Sequence, residues 1–219
     1  MPRALFEKTG DAVFMSHLDL MRLFQRAFKR AGLLLTHTQG FNPRPSVSIA
    51  LPLSVGVESR CELLDFDLEG YNASCDEICE KLNAALVRGV RVLKVYDDGR
   101  KIRDLSLLSC AVTLEYDNGV PTDACAQLEK LFSSQELLVV KRGKNGIVEQ
   151  DIIPMIRKLT AEMTDAHTCV IRALICCQNP TLNPALLVAA IERYLPELKP
   201  DFAKICRIEI YDSIETIFR

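Results

Sequence analysis

The sequence predicts an α+β protein made of two similar halves, each with an antiparallel sheet. Three observations predict it. Apolar segments of strand and helix period follow one another in a set order, and that order recurs after a polar break at Asp97-Asp98-Gly99-Arg100-Lys101. At 219 residues the chain has room for two small domains or one large one. With 48% hydrophobic and 26% charged residues, it is composed as a folded globular protein and not as a disordered one.

In the first half, RALFEKTG and DAVFMS read as extended, joined by a turn at Thr9-Gly10-Asp11. A helix follows from Ser16, whose side chain caps it, with Asp19 at the capping-box position. Leu20, Leu23, Phe24, Ala27, Phe28 and Ala31 recur at helical spacing and face the core, and Gly32 stops the helix. LLLTHT, SVSIALPL and CELLDFDLE read as strands. A helix over residues 74–86 and the strand VRVLKVYD close this half.

The second half repeats the order. LLSCAVTLEY is a strand, residues 121–132 are a helix, and ELLVVKR with GIVEQDI forms a hairpin about residues 143–146. HTCVIRALICC is a strand, residues 184–194 are a helix, and CRIEIYD is the last strand. Each half therefore approximates β-α-β-β-α-β, the ferredoxin-like split βαβ order. The expected fold is two tandem ferredoxin-like domains with antiparallel sheets, at residues 1–98 and 104–219.

A formal net charge of −2 argues against a general nucleic-acid coat protein, though not against a local basic patch. No apolar run approaches the roughly 18 residues of a membrane span. The start of the chain has no signal-peptide apolar core, so a cytoplasmic location and no membrane partner are expected. The nine cysteines, odd in number and scattered, are then reduced thiols that act as small hydrophobes. There is no C-x-x-C and no C-x-x-x-C-x-x-C. Cys75 and Cys79 share a helix face, but no nearby His or Cys completes a zinc site, so neither metal nor cofactor is expected.

Charge is distributed unevenly. Residues 1–60 hold eight Lys/Arg against four Asp/Glu, while residues 61–80 hold seven acids and no base. Arg22, Arg26, Lys29 and Arg30 form a cationic stripe opposite the apolar face of the first helix. A solvated helix face would look the same, but such a stripe also attracts a polyanion through its phosphates. The segment after the helix carries Gln39, Gly40, Phe41, Asn42 and Arg44 among prolines, a rigid loop that presents an aromatic ring, an amide and a cation. A second turn about Gly56 and Glu58 is expected at the same sheet end. Lys141, Arg142 and Lys144 at the hairpin tip are further phosphate candidates, with an ordinary hairpin as the plain alternative. His17 and His37 are the only candidates for a catalytic acid–base pair. Arg172 and Arg207 sit on strands and are expected to pair with Glu or Asp inside the sheet. P-loop, G-x-G-x-x-G, H-E-x-x-H and G-x-S-x-G motifs are all absent.

Four segments together carry a family resemblance: FMSHLDLMR at residues 14–22, RAGL at 30–33, QGFNPRP at 39–45 and ALPLSVGVES at 50–59. They resemble the radical-SAM-linked protein family, a bacterial domain of unknown function found beside, or fused to the C-terminus of, a radical SAM enzyme. The match is specific over residues 3–60 and looser to the end of the chain. Because the cluster-binding cysteines are missing, the resemblance implies the stand-alone accessory form with a radical SAM enzyme as partner. Members often lie near ribosomal-protein and ribonuclease genes, which turns the expectation toward RNA. The expected function is a non-catalytic accessory protein that binds or presents RNA (tRNA or rRNA) for the partner enzyme. In this reading Arg22, Arg26, Lys29 and Arg30 hold phosphates, and Phe41, Asn42 and Arg44 make the more specific contact. A metal-independent endoribonuclease using His17 or His37 is the alternative, by analogy with CRISPR repeat-processing enzymes of tandem ferredoxin-like architecture. A purely protein-binding module is the third reading.

Overall fold

The computed structural model describes residues 1–70, 73–143 and 146–219. The chain is mixed α+β, with four α-helices among the described residues. It divides into two compact units, Met1–Asp104 together with Arg219, and Leu105–Phe218. Among the described residues no helix is long and apolar enough to cross a membrane.

The first unit runs β1 (Arg3–Lys8), a 3-10 turn (Gly10–Phe14), α1 (His17–Arg30), β2 (Val47–Ile49), β3 (Glu58–Phe66), α2 (Cys75–Ala85) and β4 (Val90–Tyr96). Its strands lie in the order β4-β1-β3-β2, and each neighbouring pair is antiparallel. Ser16 caps α1 by accepting from the Asp19 N–H at 3.2 Å, and the Asp19 carboxylate accepts from the Ser16 hydroxyl at 2.7 Å. Packing outweighs the cap. Leu20, Phe24 and Phe28 are buried, which contributes roughly 5–9 kcal/mol against about 1 for the cap. Phe24 meets Phe6 edge-on at 4.8 Å, and Phe28 meets Phe66 at 4.9 Å.

Two expected strands are not strands. DAVF is the 3-10 turn, because Ala12 is drawn against the start of β4 instead of extending. There Thr9 N–H donates to the Gly89 carbonyl at 2.8 Å. A Cβ on Gly89 would stand 2.5 Å from the Thr9 oxygen, so only glycine allows the approach. LLLTHT keeps only single bridges, Leu35 to Leu68 and His37 to Pro45. Its Thr36 is tied by backbone and side chain to Asp67 beyond the end of β3.

The second unit runs β5 (Leu107–Glu115), α3 (Ala124–Phe132), β6 (Leu138–Gly143), β7 (Gly146–Asp151), β8 (Ile156–Asp165), β9 (Thr168–Cys176), α4 (Ala185–Tyr194) and β10 (Phe202–Tyr211). Four strands lie in the order β10-β5-β9-β8, each pair antiparallel. The hairpin β6-β7 forms as expected, with Gly143 opposite Gly146, but as a separate two-stranded sheet. The strand beside β9 is instead β8, a segment with no strand pattern of its own in the sequence. Most of its side chains are exposed, so the apolar alternation that marks a half-buried strand is weak there. Arg172 meets Glu162 across β8 and β9 at 2.9 Å, the cross-sheet pair expected of it.

Candidate nucleic-acid interface

All four cations of the α1 stripe are exposed, yet they are not equivalent. Arg22 lies 3.4 Å from Asp19 one turn earlier, with both side chains well over half exposed, so the pair is worth well under 1 kcal/mol. Arg30 donates from Nη2 to the Ala85 carbonyl at 2.5 Å, filling an acceptor in the last turn of α2. Arg26 and Lys29 make no ion pair or side-chain hydrogen bond among the described residues. These two are the cations left open to an external anion.

The loop over residues 38–44 is a narrow turn closed at its neck. Thr38 N–H donates to the Arg44 carbonyl at 2.9 Å, and Arg44 N–H donates to the Thr38 hydroxyl at 3.0 Å. Gly40 holds φ +133°, a conformation closed to other residues. At the tip the Phe41 ring is fully exposed, at 106% relative accessibility. Gln39, Asn42 and Arg44 are exposed too, and their side chains make no hydrogen bond among the described residues.

The segments carrying the resemblance do not gather at one end of the sheet. The 3-10 turn is tied to the first end of β3: Gly10 N–H donates to the Glu58 carboxylate at 3.3 Å, and Gly56 N–H to the Val13 carbonyl at 2.9 Å. Buried Lys8, which pairs with Ser59, donates from Nζ to the Met15 carbonyl at 3.2 Å and fixes where α1 begins. The loop is tied to the other end, where Thr36 N–H donates to the Asp67 carbonyl at 3.0 Å. The nine residues of β3, at about 3.3 Å each, put these anchors roughly 30 Å apart. His17 therefore belongs to one end and His37 to the other, too far apart to share a proton-transfer site. The turn at Gly56 is likewise at the opposite end from the loop.

Several large apolar side chains of the first unit are exposed. Phe14, Leu18 and Val55 are exposed at 72%, 66% and 57%. Their signal was available, since Leu18 precedes Leu20 by two residues and so points about 200° away from the buried face. The acidic run of residues 61–80 is divided among separate tasks. Asp65 pairs with Arg3, Asp67 accepts from Thr36, and Asp76 and Glu77 occupy the first turn of α2, where the helix dipole favours them.

In the second unit Lys141 is exposed on β6, next to the exposed Val140, and Ile147 and Val148 are exposed on β7. Lys144 and the Arg142 side chain lie outside the described residues. Among the described residues no three His, Cys, Asp or Glu side chains group as metal ligands. Cys75 faces the Asp97 carboxylate at 3.6 Å, and Cys79 the Val92 carbonyl at 3.6 Å. Burial pushes the Cys110, Cys169 and Cys177 thiols up to about 12, so they remain protonated.

A family model described as an uncharacterized protein conserved in bacteria (DUF2344) matches residues 2–184, and the chain belongs to that family. No curated protein matches the sequence. Among solved structures, a chain of a Cbf5–Nop10–Gar1 complex is similar with a TM-score of 0.50 and 8% identity, over 95% of this chain and 48% of that one. A chain of an H/ACA RNP bound to a substrate RNA containing 2'-deoxyuridine is similar with a TM-score of 0.48 and 9% identity, over 94% and 46%. The chain thus spans about half the length of these structures, and at 8% identity the first likeness is one of fold.

Proposed function

We propose that this member of the DUF2344 family is a non-catalytic, cytoplasmic accessory protein that binds RNA (tRNA or rRNA) on its first unit and serves a radical SAM enzyme. The carrying observation is the outer face of α1, where Arg26 and Lys29 are exposed without an acid partner among the described residues. Charges so placed suit phosphates, which need proximity and not base-specific geometry. Arg22 extends the stripe by one turn, and Arg44 adds an exposed cation on the loop that follows the helix. We further read residues 1–98 and 104–219 as two ferredoxin-like domains. The orders β4-β1-β3-β2 and β10-β5-β9-β8, with helices after the first and third strands of each sheet, support that reading.

The test is a fluorescence-anisotropy titration with labelled bulk tRNA and an rRNA fragment at two salt concentrations, followed by a denaturing gel. Binding that falls steeply with salt while the RNA stays intact supports the reading. An Arg26→Glu, Lys29→Glu variant should flatten the slope of log affinity against log salt by about 1.5. Absence of binding at low salt defeats it, and discrete cleavage would point to the nuclease. Exposed Phe14, Leu18 and Val55 favour a second role for the opposite end, as a docking surface for the partner enzyme. Loss of co-purification on Leu18→Asp, with RNA binding retained, would support that role.

A further inference from the structure

We propose that the loop over residues 38–44 is a finger that stacks one unpaired RNA base on the ring of Phe41, so that the ligand is single-stranded or looped RNA and not continuous duplex. The inference rests on the RNA reading above and narrows its substrate class.

Phe41 is the starting point. A ring exposed at 106% gains nothing from the fold that carries it. The fold nevertheless supports it closely. The neck is closed by the Thr38 and Arg44 hydrogen bonds and by the His37–Pro45 bridge. Below the neck, Ser46 N–H donates to the Thr36 carbonyl at 2.8 Å and Asp67 N–H to the Ser46 carbonyl at 3.0 Å, so the root is part of the ladder at the end of β3. Pro43 and Pro45 fix two further backbone angles. A ring held out on such a loop loses little freedom when something covers it.

The surroundings favour a base over an apolar protein pocket. Residues 36–48 contain no Asp or Glu, the acid at the root, Asp67, is engaged by the Thr36 hydroxyl at 3.0 Å, and Arg44 supplies a cation for the phosphate of the stacked nucleotide. Gln39 and Asn42, two residues before and one after Phe41 in the same turn, are exposed and carry amides that both donate and accept, as base edges require. Gly40 adds no side chain, and a Cβ built there would meet nothing within 4 Å, so the approach to the tip is open. In continuous duplex every base is already stacked on its neighbours. Only a base splayed out of a strand or loop can take the Phe41 face.

The chain contains no tryptophan, so Phe41→Trp installs a single indole reporter at the tip. Wild type, Phe41→Trp and Phe41→Ala would be titrated with oligouridine and with a long RNA duplex. Quenching of the indole by oligouridine but not by duplex is expected. Phe41→Ala should weaken oligouridine binding by about five- to a hundredfold and leave duplex binding within about twofold. If Phe41→Ala binds oligouridine as wild type does, or the indole is indifferent to bound oligouridine, the finger is overturned while RNA binding stands. That is also the result expected if Phe41 anchors in a partner protein. If wild type binds neither RNA at low salt, the RNA reading itself has failed and the finger falls with it.

Discussion

The Arg30 guanidinium lies 2.5 Å from the carbonyl oxygen of Ala85, so a cation of the α1 stripe also terminates α2. Arg30 and Arg26 are neighbours on one helix face with different responsibilities. Arg30→Ala should lower stability by about 0.5–1 kcal/mol, since it removes a charged donor from the last turn of a helix. Arg26→Ala should change stability by less than about 0.5 kcal/mol. Urea denaturation of the two variants checks the difference. Equal stability would mean that the Arg30 contact contributes nothing.

Phe24 is fully buried against Phe6 in the core of the first unit. Phe24→Ala should cost about 3–5 kcal/mol, combining lost burial with a cavity. Phe41→Ala, at a fully exposed position, should cost under about 0.5 kcal/mol. Thermal melts of both variants give a direct comparison.

Arg3 and Asp65 face each other across β1 and β3 with two contacts, 2.5 and 3.0 Å, and the Arg3 side chain also donates to the Arg100 carbonyl at 2.8 Å. Removing Asp65 takes the carboxylate from a buried cation. Asp65→Leu should cost about 2–4 kcal/mol, while Arg3→Met with Asp65→Leu should recover much of the loss. A double-mutant cycle by chemical denaturation measures the coupling.

The buried thiols set an alkaline limit. Cys110, Cys169 and Cys177 are pushed from 9.0 up to about 12 by burial. Between those values the unfolded chain has released protons that the folded chain retains, so stability must fall as pH rises through that window and be complete below it. Urea midpoints measured across the window should decline, and Cys110→Ser should soften the decline. A midpoint independent of pH would contradict the burial of these groups. At neutral pH the same thiols should resist alkylation until the protein is unfolded.

Much of the first unit is legible in the sequence because local signals agree with packing there. The Leu20, Phe24, Ala27 and Phe28 spacing marks α1, and the cap at Ser16 marks its start. DAVF misleads because its apolar run serves a tight turn made by Gly89, seventy-seven residues after Ala12. β8 is not legible in the sequence because an edge strand with Arg157, Lys158 and Glu162 exposed carries little of the burial that writes a pattern. Residue types around the interface could also be read, but their division of labour could not. That Arg30 serves α2, and that His17 and His37 stand far apart, depend on contacts no local window contains.

The length of β3 has a thermodynamic consequence. Groups at its two ends share no side-chain neighbour, so their substitution energies should sum without a cross term. Loss of Leu18 and loss of Phe41 would then act as separate lesions, and a doubly substituted chain would lose partner docking and RNA affinity each by the amount its single variant does. The two ends can thus vary independently of one another.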